Sequence, residues 1–243
     1  MEGIGYIDIH SHILPEVDDG ASSIEETRQM LKLASKQGIR TIIATPHYSC
    51  GEKNQSVAQL QRAVEMVQDE AVQIDKDFKI LLGNELYYND AIISDLKSGK
   101  ALTLAKSRYI LVEFSEKEEY KLLYKKLRQL ILAGYAPILA HMERYTCIRK
   151  KEALVRELIE LGVYTQMNSS SLLGGVFGSE TFYNRKLFRK GFIHFIGSDC
   201  HDVRLRPPLL EDTARKLYSK TEKQLVDMVL FDNPSRILNN KFI

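Results

Sequence analysis

Cysteine is scarce: only Cys50, Cys147 and Cys200 occur among 243 residues. The number is odd and no two stand at a metal-binding spacing, so neither a disulfide framework nor a structural zinc site is indicated. Excess charge is missing too, since 34 Lys and Arg against 32 Asp and Glu leave a formal +2. A charge so small and evenly spread argues against a general nucleic-acid surface or membrane surface. Attraction to an anionic substrate must then be local. No uninterrupted apolar run approaches the ~20 residues that cross a bilayer. Met1 to Tyr6 holds no basic segment leading into an apolar stretch. The expectation is a cytoplasmic protein with no membrane insertion. Internal repeats, low-complexity tracts and linkers are also absent. The remaining composition, 44% hydrophobic and 27% charged, is that of a folding globular chain. The length suits one α/β barrel, so residues 1–243 are expected to form a single domain.

What is present is an alternation of short apolar runs with longer stretches of helical period. The runs, about the length of buried parallel strands, are Gly5 to Ile9, Thr41 to Ala44, Lys79 to Leu82, Tyr109 to Val112, Ala136 to Ala140, Val163 to Met167 and Phe192 to Ile196. Helices are expected at Ile24 to Gln37, Val57 to Asp75, Ala91 to Leu96, Tyr120 to Ala133, Lys151 to Leu161 and Thr181 to Arg189. Two more, Leu209 to Tyr218 and Glu222 to Leu230, follow. Gly38, Gly134, Gly162 and Gly191 stand where helices end. Strand followed by helix, repeated, predicts a parallel sheet covered by helices, open or closed. The residues after each strand favour closure. They are His10 and His12, His47, Glu85, Glu113, His141, Asn168 with three serines, and Asp199 with His201. A barrel gathers these ends around one mouth, where barrel enzymes keep their active sites, whereas an open sheet would scatter them.

His10 and His12, two apart at a strand end, put both imidazoles on one face, able to share an ion. Asp8 has the same parity and is expected to orient one of them. A lone His-x-His is weak evidence, since such residues are also ordinary surface or capping groups. The recurrence of His47, Glu85, Glu113, His141, Asp199 and His201 at other strand ends makes it stronger. His194, inside an apolar strand and of parity opposite to Asp199, is expected to be a core or supporting histidine. Imidazole mixed with carboxylate and no thiolate suits manganese, iron or zinc. So many ligands exceed the need of one ion. Three divalent ions, about +6 against four carboxylates, would leave about +2 to meet a phosphate-ester dianion. Bridging ions would also acidify a shared water into a hydroxide that attacks phosphorus in line. Arg144, three residues after His141, and Arg206, five after His201, can lean over the same mouth and grip phosphate oxygens. The alternative for each is a solvated surface arginine.

Ile7-Asp8-Ile9-His10-Ser11-His12-Ile13-Leu14-Pro15, Val17-Asp18-Asp19-Gly20 and Gly38-Ile39-Arg40-Thr41-Ile42-Ile43-Ala44-Thr45-Pro46-His47 resemble the PHP-family bacterial protein-tyrosine phosphatases of CpsB/YwqE type. Ala140-His141-Met142-Glu143-Arg144-Tyr145, Gly197-Ser198-Asp199-Cys200-His201 and Arg206-Pro207-Pro208 extend the resemblance over almost the whole chain. It implies a distorted (β/α)7 TIM-like barrel, the PHP fold. It also implies three divalent metal ions, with manganese the first choice, held by His10, His12, Asp19, His47, Glu85, Glu113, His141, Asp199 and His201. Arg144 and Arg206 would contact phosphate. The implied partner is a tyrosine-phosphorylated bacterial kinase that controls capsule or exopolysaccharide assembly. Asp19 owes its place to the resemblance, because Asp18 beside it is chemically equivalent.

Three other readings compete. Cys200 and Arg206 form Cys-x5-Arg, the spacing of thiolate-dependent tyrosine phosphatases. However, the residues between them contain no glycine to turn backbone amides inward, and two prolines follow where a helix should start. A PHP phosphatase for a small metabolite such as histidinol phosphate would need a general acid for its alkoxide, whereas phenol, with a pKa near about 10, leaves with little help. A non-catalytic kinase-binding module would be expected to have lost some of its ligands. Leu173 and Phe177, after the sixth strand, either shape a peptide groove or pack.

Overall fold

A computed structural model describes residues 5–174 and 178–243. Its strands are β1 (Tyr6–Ser11), β2 (Ile39–Ala44), β3 (His47–Ser49), β4 (Lys79–Leu82), β5 (Glu85–Tyr87), β6 (Tyr109–Glu113), β7 (Ala136–Leu139), β8 (Tyr164–Asn168) and β9 (Phe195–Gly197). All pairings are parallel, in the orders β1-β2-β4 and β3-β5-β6-β7-β8-β9. β9 returns to β1 through the Ser11–Cys200 bridge and the bond from Asp199 N–H to the His10 carbonyl, 2.8 Å. β3 continues β2 and β5 continues β4, so the nine segments make seven staves of a closed α/β barrel.

The two extra segments correct the expectation of seven simple strands. Pro46, between β2 and β3, has no N–H to give to a ladder. Gly83 and Asn84 make the matching step between β4 and β5, with Gly83 N–H bonded to the Ala44 carbonyl (2.9 Å) and Asn84 Nδ2 to the Pro46 carbonyl (2.9 Å). His47 and Glu85 therefore open new strand segments and face each other in register, instead of hanging from loops.

The helices are α1 (Ile24–Lys36), α2 (Val57–Ile74), α3 (Ile92–Ser98), α4 (Tyr120–Leu132), α5 (Glu152–Leu161), α6 (Ser170–Leu173), α7 (Ser179–Arg189), α8 (Leu210–Tyr218), α9 (Lys223–Asp227) and α10 (Asn233–Leu238). α1 shows how sequence sets them. Ser23 caps it by accepting from Glu26 N–H, acidic side chains fill its first turn, and Thr27, Met30, Leu31 and Ala34 repeat at helical spacing on its buried face. α2 starts with a reciprocal capping box between Ser56 and Gln59. The four glycines read as helix ends all have positive φ, from 72° to 102°. The chain's last helical stretch runs further than expected. It widens into a π turn over Met228–Asp232 and resumes as α10. The wider turn relieves the clash that the Pro234 ring would otherwise make with the preceding turn.

Two apolar layers hold the barrel. Ile9, Ile43, Tyr109, Leu111, Ile138 and Phe195 belong to one cluster, while Ile42, Val112, Leu139 and Met167 join the helix-facing core. Burial of both faces is what lets parallel strands read as unbroken apolar runs. Most of the buried imidazoles and carboxylates lie at the strands' C-terminal ends, at His10, His12, Glu85, His141, Asp199 and His201. Leu173 ends α6 half-buried, and Phe177 lies outside the described residues. Among the described residues no helix is long and apolar enough to cross a membrane.

Candidate metal centre

The expected side chains converge. Nε2 of His10 and Nε2 of His12 stand 3.3 Å apart, and each lies 3.1 Å from Glu85 Oε2. Glu85 Oε1 is 2.9 Å from His141 Nε2, and Glu113 lies 3.4 Å from both His141 Nε2 and His47 Nδ1. Asp199 Oδ1 is 3.3 Å from His10 Nε2, and Asp19 Oδ1 reaches His47 Nε2 at 3.3 Å and His201 Nε2 at 3.4 Å. Three overlapping sets each bring one ligand atom per residue within 4.8 Å of one another: His10, His12, Glu85 and Asp199; His12, Asp19, His47 and His201; His47, Glu85 and Glu113. His141 belongs to none of these sets but touches the carboxylates of two.

The structure separates the two neighbouring aspartates. Asp18 Oδ2 holds His12 Nδ1 at 2.7 Å and accepts from His47 N–H at 3.0 Å, so it orients an imidazole from behind. Asp19 is the exposed member at the rim. Asp8, expected to orient an imidazole, does not. An irregularity in β1 between Asp8 and Ser11 breaks the alternation on which that expectation rested. The Asp8 carboxylate instead accepts from Ser198 N–H and Oγ–H and from His10 backbone N–H. His194 lies outside the cluster, with Nδ1 accepting from Thr165 N–H. Burial presses its pKa down to about 4.

Gly20 and Gly197 are required by close approach. A Cβ at Gly20 would fall 2.0 Å from the His12 carbonyl oxygen, and one at Gly197 would fall 2.7 Å from His10 Cβ. Two candidate ligands also hold unusual backbone for residues other than glycine, His141 at φ 31° and Asp199 at φ 53°. Such conformations persist where surrounding structure enforces them, commonly at functional sites. Gly197→Ala should therefore displace His10. Elemental analysis should find clearly less metal per chain than in the wild type, and a full metal complement would refute the packing argument.

Electrostatics favour cations. Burial opposes charge on His12, yet hydrogen bonds and charges from Asp18 and Glu85 outweigh it and push its pKa up to about 10. His141 is likewise pushed up to about 10 against burial by Glu113 and Glu85. Glu85 is itself held well below the usual carboxylate range, with burial overcome chiefly by the charge of His10. The clustered carboxylates thus demand positive charge, which divalent ions can supply in place of protons. Six buried side-chain atoms among the described residues lack a hydrogen-bonding partner, and three of them, His141 Nδ1, Asp199 Oδ1 and His201 Nε2, belong to candidate ligands. Two of them face the shared space between imidazoles and carboxylates. Orphaned donors of this chemistry fit metal ions.

Both arginines reach the mouth. Arg144 Nη2 lies 2.9 Å and Arg206 Nη2 2.6 Å from Asp199 Oδ2. Each is about one-third exposed, so a fork remains open to solvent. Cys200 points elsewhere. It is buried with Sγ 3.2 Å from Ser11 Oγ, and burial raises its thiol to about 12. A thiol in that state is no nucleophile. Cys200→Ala should retain turnover within about threefold in a phosphatase assay, a loss within the range of a small core adjustment.

Sequence reasoning did not single out Asp18, Gln166 or Asn168 as supports. Gln166 and Asn168 are buried polar residues two apart in β8, so both side chains fall on the same face of the strand. That pattern was the available signal.

Fold and mouth together define an α/β barrel of the PHP kind, with clustered His, Asp and Glu side chains that could hold metal. The chain belongs to the CpsB/CapC family, described as capsular polysaccharide synthesis, whose model matches residues 6–239. It is 33% identical over 246 residues to the tyrosine-protein phosphatase CpsB of Streptococcus pneumoniae, covering 98% of this chain and all of that one. It is 34% identical over 238 residues to the tyrosine-protein phosphatase YwqE of Bacillus subtilis, covering 98% and 93%. Among solved structures it superposes with TM-score 0.89 and 33% identity on one from work on YwqE and S. pneumoniae CpsB, described as unique metal-dependent tyrosine phosphatases; 98% of this chain and 96% of that chain are covered. An Escherichia coli phosphotriesterase homology protein shares the fold alone, with TM-score 0.60 and 12% identity over 98% of this chain and all of that one.

Proposed function

We propose that the protein is a metal-dependent phosphatase of phosphotyrosine, acting on a tyrosine-phosphorylated bacterial kinase that regulates capsule or exopolysaccharide synthesis. The observation that carries this reading is the convergence of His10, His12, Asp19, His47, Glu85, Glu113, His141, Asp199 and His201 at one mouth, with Arg144 and Arg206 beside them. In this reading those nine residues hold three divalent ions, manganese first, with iron or zinc also compatible with the donor set. The relatives' activity on tyrosine-phosphorylated protein supports the choice of substrate.

Bound ions would supply positive charge against the phosphate dianion and lower the pKa of water. The chain's own residues do the rest. Arg144 and Arg206 present guanidinium forks to non-bridging phosphate oxygens and hold the phosphorus at the mouth. Asp18 and Glu85 fix the facing imidazoles. Water provides the oxygen that bonds to phosphorus, the bond from phosphorus to the tyrosyl oxygen breaks, and a phenolate that leaves readily takes up a proton. No covalent protein intermediate is needed, consistent with the buried thiol of Cys200.

The whole chain is read as one catalytic unit. A cytoplasmic location fits its free thiols at Cys50, Cys147 and Cys200. The test compares kcat/KM of manganese-loaded protein on a phosphotyrosine peptide and on histidinol phosphate. The peptide should be preferred by at least about tenfold, a free-energy difference of about 1.4 kcal/mol. Preference for histidinol phosphate would transfer the assignment to a small metabolite. Tight binding of a phosphorylated kinase without hydrolysis would instead make the chain a binding module.

A further inference from the structure

Two buried amides in β8 join opposite sides of the metal centre. Gln166 Oε1 is 3.3 Å from His10 Nδ1 and accepts the His141 backbone N–H at 2.7 Å. Gln166 Nε2 donates to Asn168 Oδ1 at 2.9 Å, and Asn168 Nδ2 donates to Asp199 Oδ2 at 2.6 Å. The orientation of each amide follows from its neighbours. The His141 N–H can only donate, so the oxygen of Gln166 must face it. The amide nitrogen of Gln166 can then only meet an acceptor, which is the Asn168 oxygen. That leaves the Asn168 nitrogen facing a carboxylate oxygen, which can only accept. Every link agrees, and both amides are almost wholly buried, Gln166 at 0% and Asn168 at 4% exposure.

We infer that Gln166 and Asn168 form a positioning relay, His10 Nδ1–H to Gln166 to Asn168 to Asp199, that sets the ligand geometry of both ends at once. The inference rests on the metal-centre reading above. With Nδ1 donating its proton to Gln166, His10 has Nε2 free as a lone pair, turned toward Glu85, His12 and Asp199. At the other end Asn168 occupies Asp199 Oδ2, leaving Oδ1 without a hydrogen bond and directed at the imidazoles. Arg144 and Arg206 share that same Oδ2. When they turn to a phosphate, Asn168 is the donor that stays and keeps Asp199 from rotating.

The surroundings brace the relay. Asn168 backbone N–H donates to Glu143 Oε1 at 3.0 Å, fixing the strand end that carries it. Gly197 supplies the room, because a Cβ there would come within 3.1 Å of Gln166 Nε2 and 2.7 Å of His10 Cβ. A side chain at 197 would push apart the first link of the chain of bonds.

The experiment uses full-length protein freed of metal, with Mn²⁺ affinity measured by competition with a fluorescent chelator. Asn168→Ala and Gln166→Met should each bind Mn²⁺ about 10- to 100-fold more weakly than the wild type. The double variant should be within about threefold of the weaker single one, because the two residues act in series. Zinc-loaded wild type should show His10 protonated at Nδ1 in long-range proton–nitrogen NMR spectra, and Gln166→Met should lose that signature. Asn168→Asp keeps the shape while removing the donor, and it should repeat the loss if the alanine variant does not fold. Folded variants that bind Mn²⁺ within twofold of the wild type would overturn the relay, as would fully additive losses. Wild-type protein that binds no Mn²⁺ would overturn the metal-centre reading itself, a result separate from either of these.

Discussion

Glu85→Gln should lower turnover of a phosphotyrosine peptide by about 1000-fold, equivalent to about 4 kcal/mol in the barrier, and should leave fewer metal ions per chain. Glu85 stands at the centre of the cluster. Its two oxygens lie 2.9 Å from His141, 3.1 Å from both His10 and His12, and 3.3 Å from His47. It takes part in two of the three overlapping ligand sets and is 1% exposed, so no water can replace its charge. The amide keeps the shape and one acceptor oxygen but removes the negative charge. It also turns a donor toward imidazole nitrogens that need lone pairs for an ion. A buried cation that loses its paired anion is strongly disfavoured. Steady-state kinetics with added Mn²⁺, joined to elemental analysis of the purified variant, would decide it. Near-normal turnover with a full metal complement would remove Glu85 from the centre.

The second large effect belongs to the arginines. Arg144→Ala and Arg206→Ala should each reduce kcat/KM on the same peptide by about 100-fold, the scale of losing one oriented donor to a transition-state oxygen. Metal content should be unchanged, which separates these variants from Glu85→Gln. The two guanidiniums come from different elements, Arg144 from the turn after β7 and Arg206 from the loop after β9, yet both end on Asp199 Oδ2. The loop of Arg206 is pinned by its own backbone, with its carbonyl accepting from His201 N–H at 2.9 Å and Asp202 accepting from Arg206 N–H. Arg→Lys at either position should recover little, because an ammonium cannot span two phosphate oxygens. A double alanine variant with kcat/KM within threefold of the wild type would show that phosphate is held elsewhere.

Much of the barrel was legible. Parallel strands buried on both faces produce the unbroken apolar runs from which the staves were read, and positive-φ glycines mark helix ends as propensity requires. The broken staves were not legible, because Pro46 and Gly83 look like strand ends when only local pattern is considered. Whether the chain stops or continues in a shifted sheet depends on which neighbour offers partners. Asp8 was misplaced for a related reason: side-chain parity holds only while a ladder is regular, and an irregularity in β1 cancels it.

The residue types alone determined the donor chemistry of this protein, imidazole and carboxylate at strand ends with two arginines close by. They also determined that these groups would meet, since closing a parallel barrel brings every strand's C-terminal end to one mouth. Only the tertiary structure placed Asp18 behind His12 and Asp19 at the rim, buried the Cys200 thiol against Ser11, and showed two amides of β8 linking His10 to Asp199. Those distinctions rest on hydrogen-bond direction and on differences of about an ångström between residues far apart in the chain. Composition and spacing do not encode such differences, because they arise only when distant strands pack against one another.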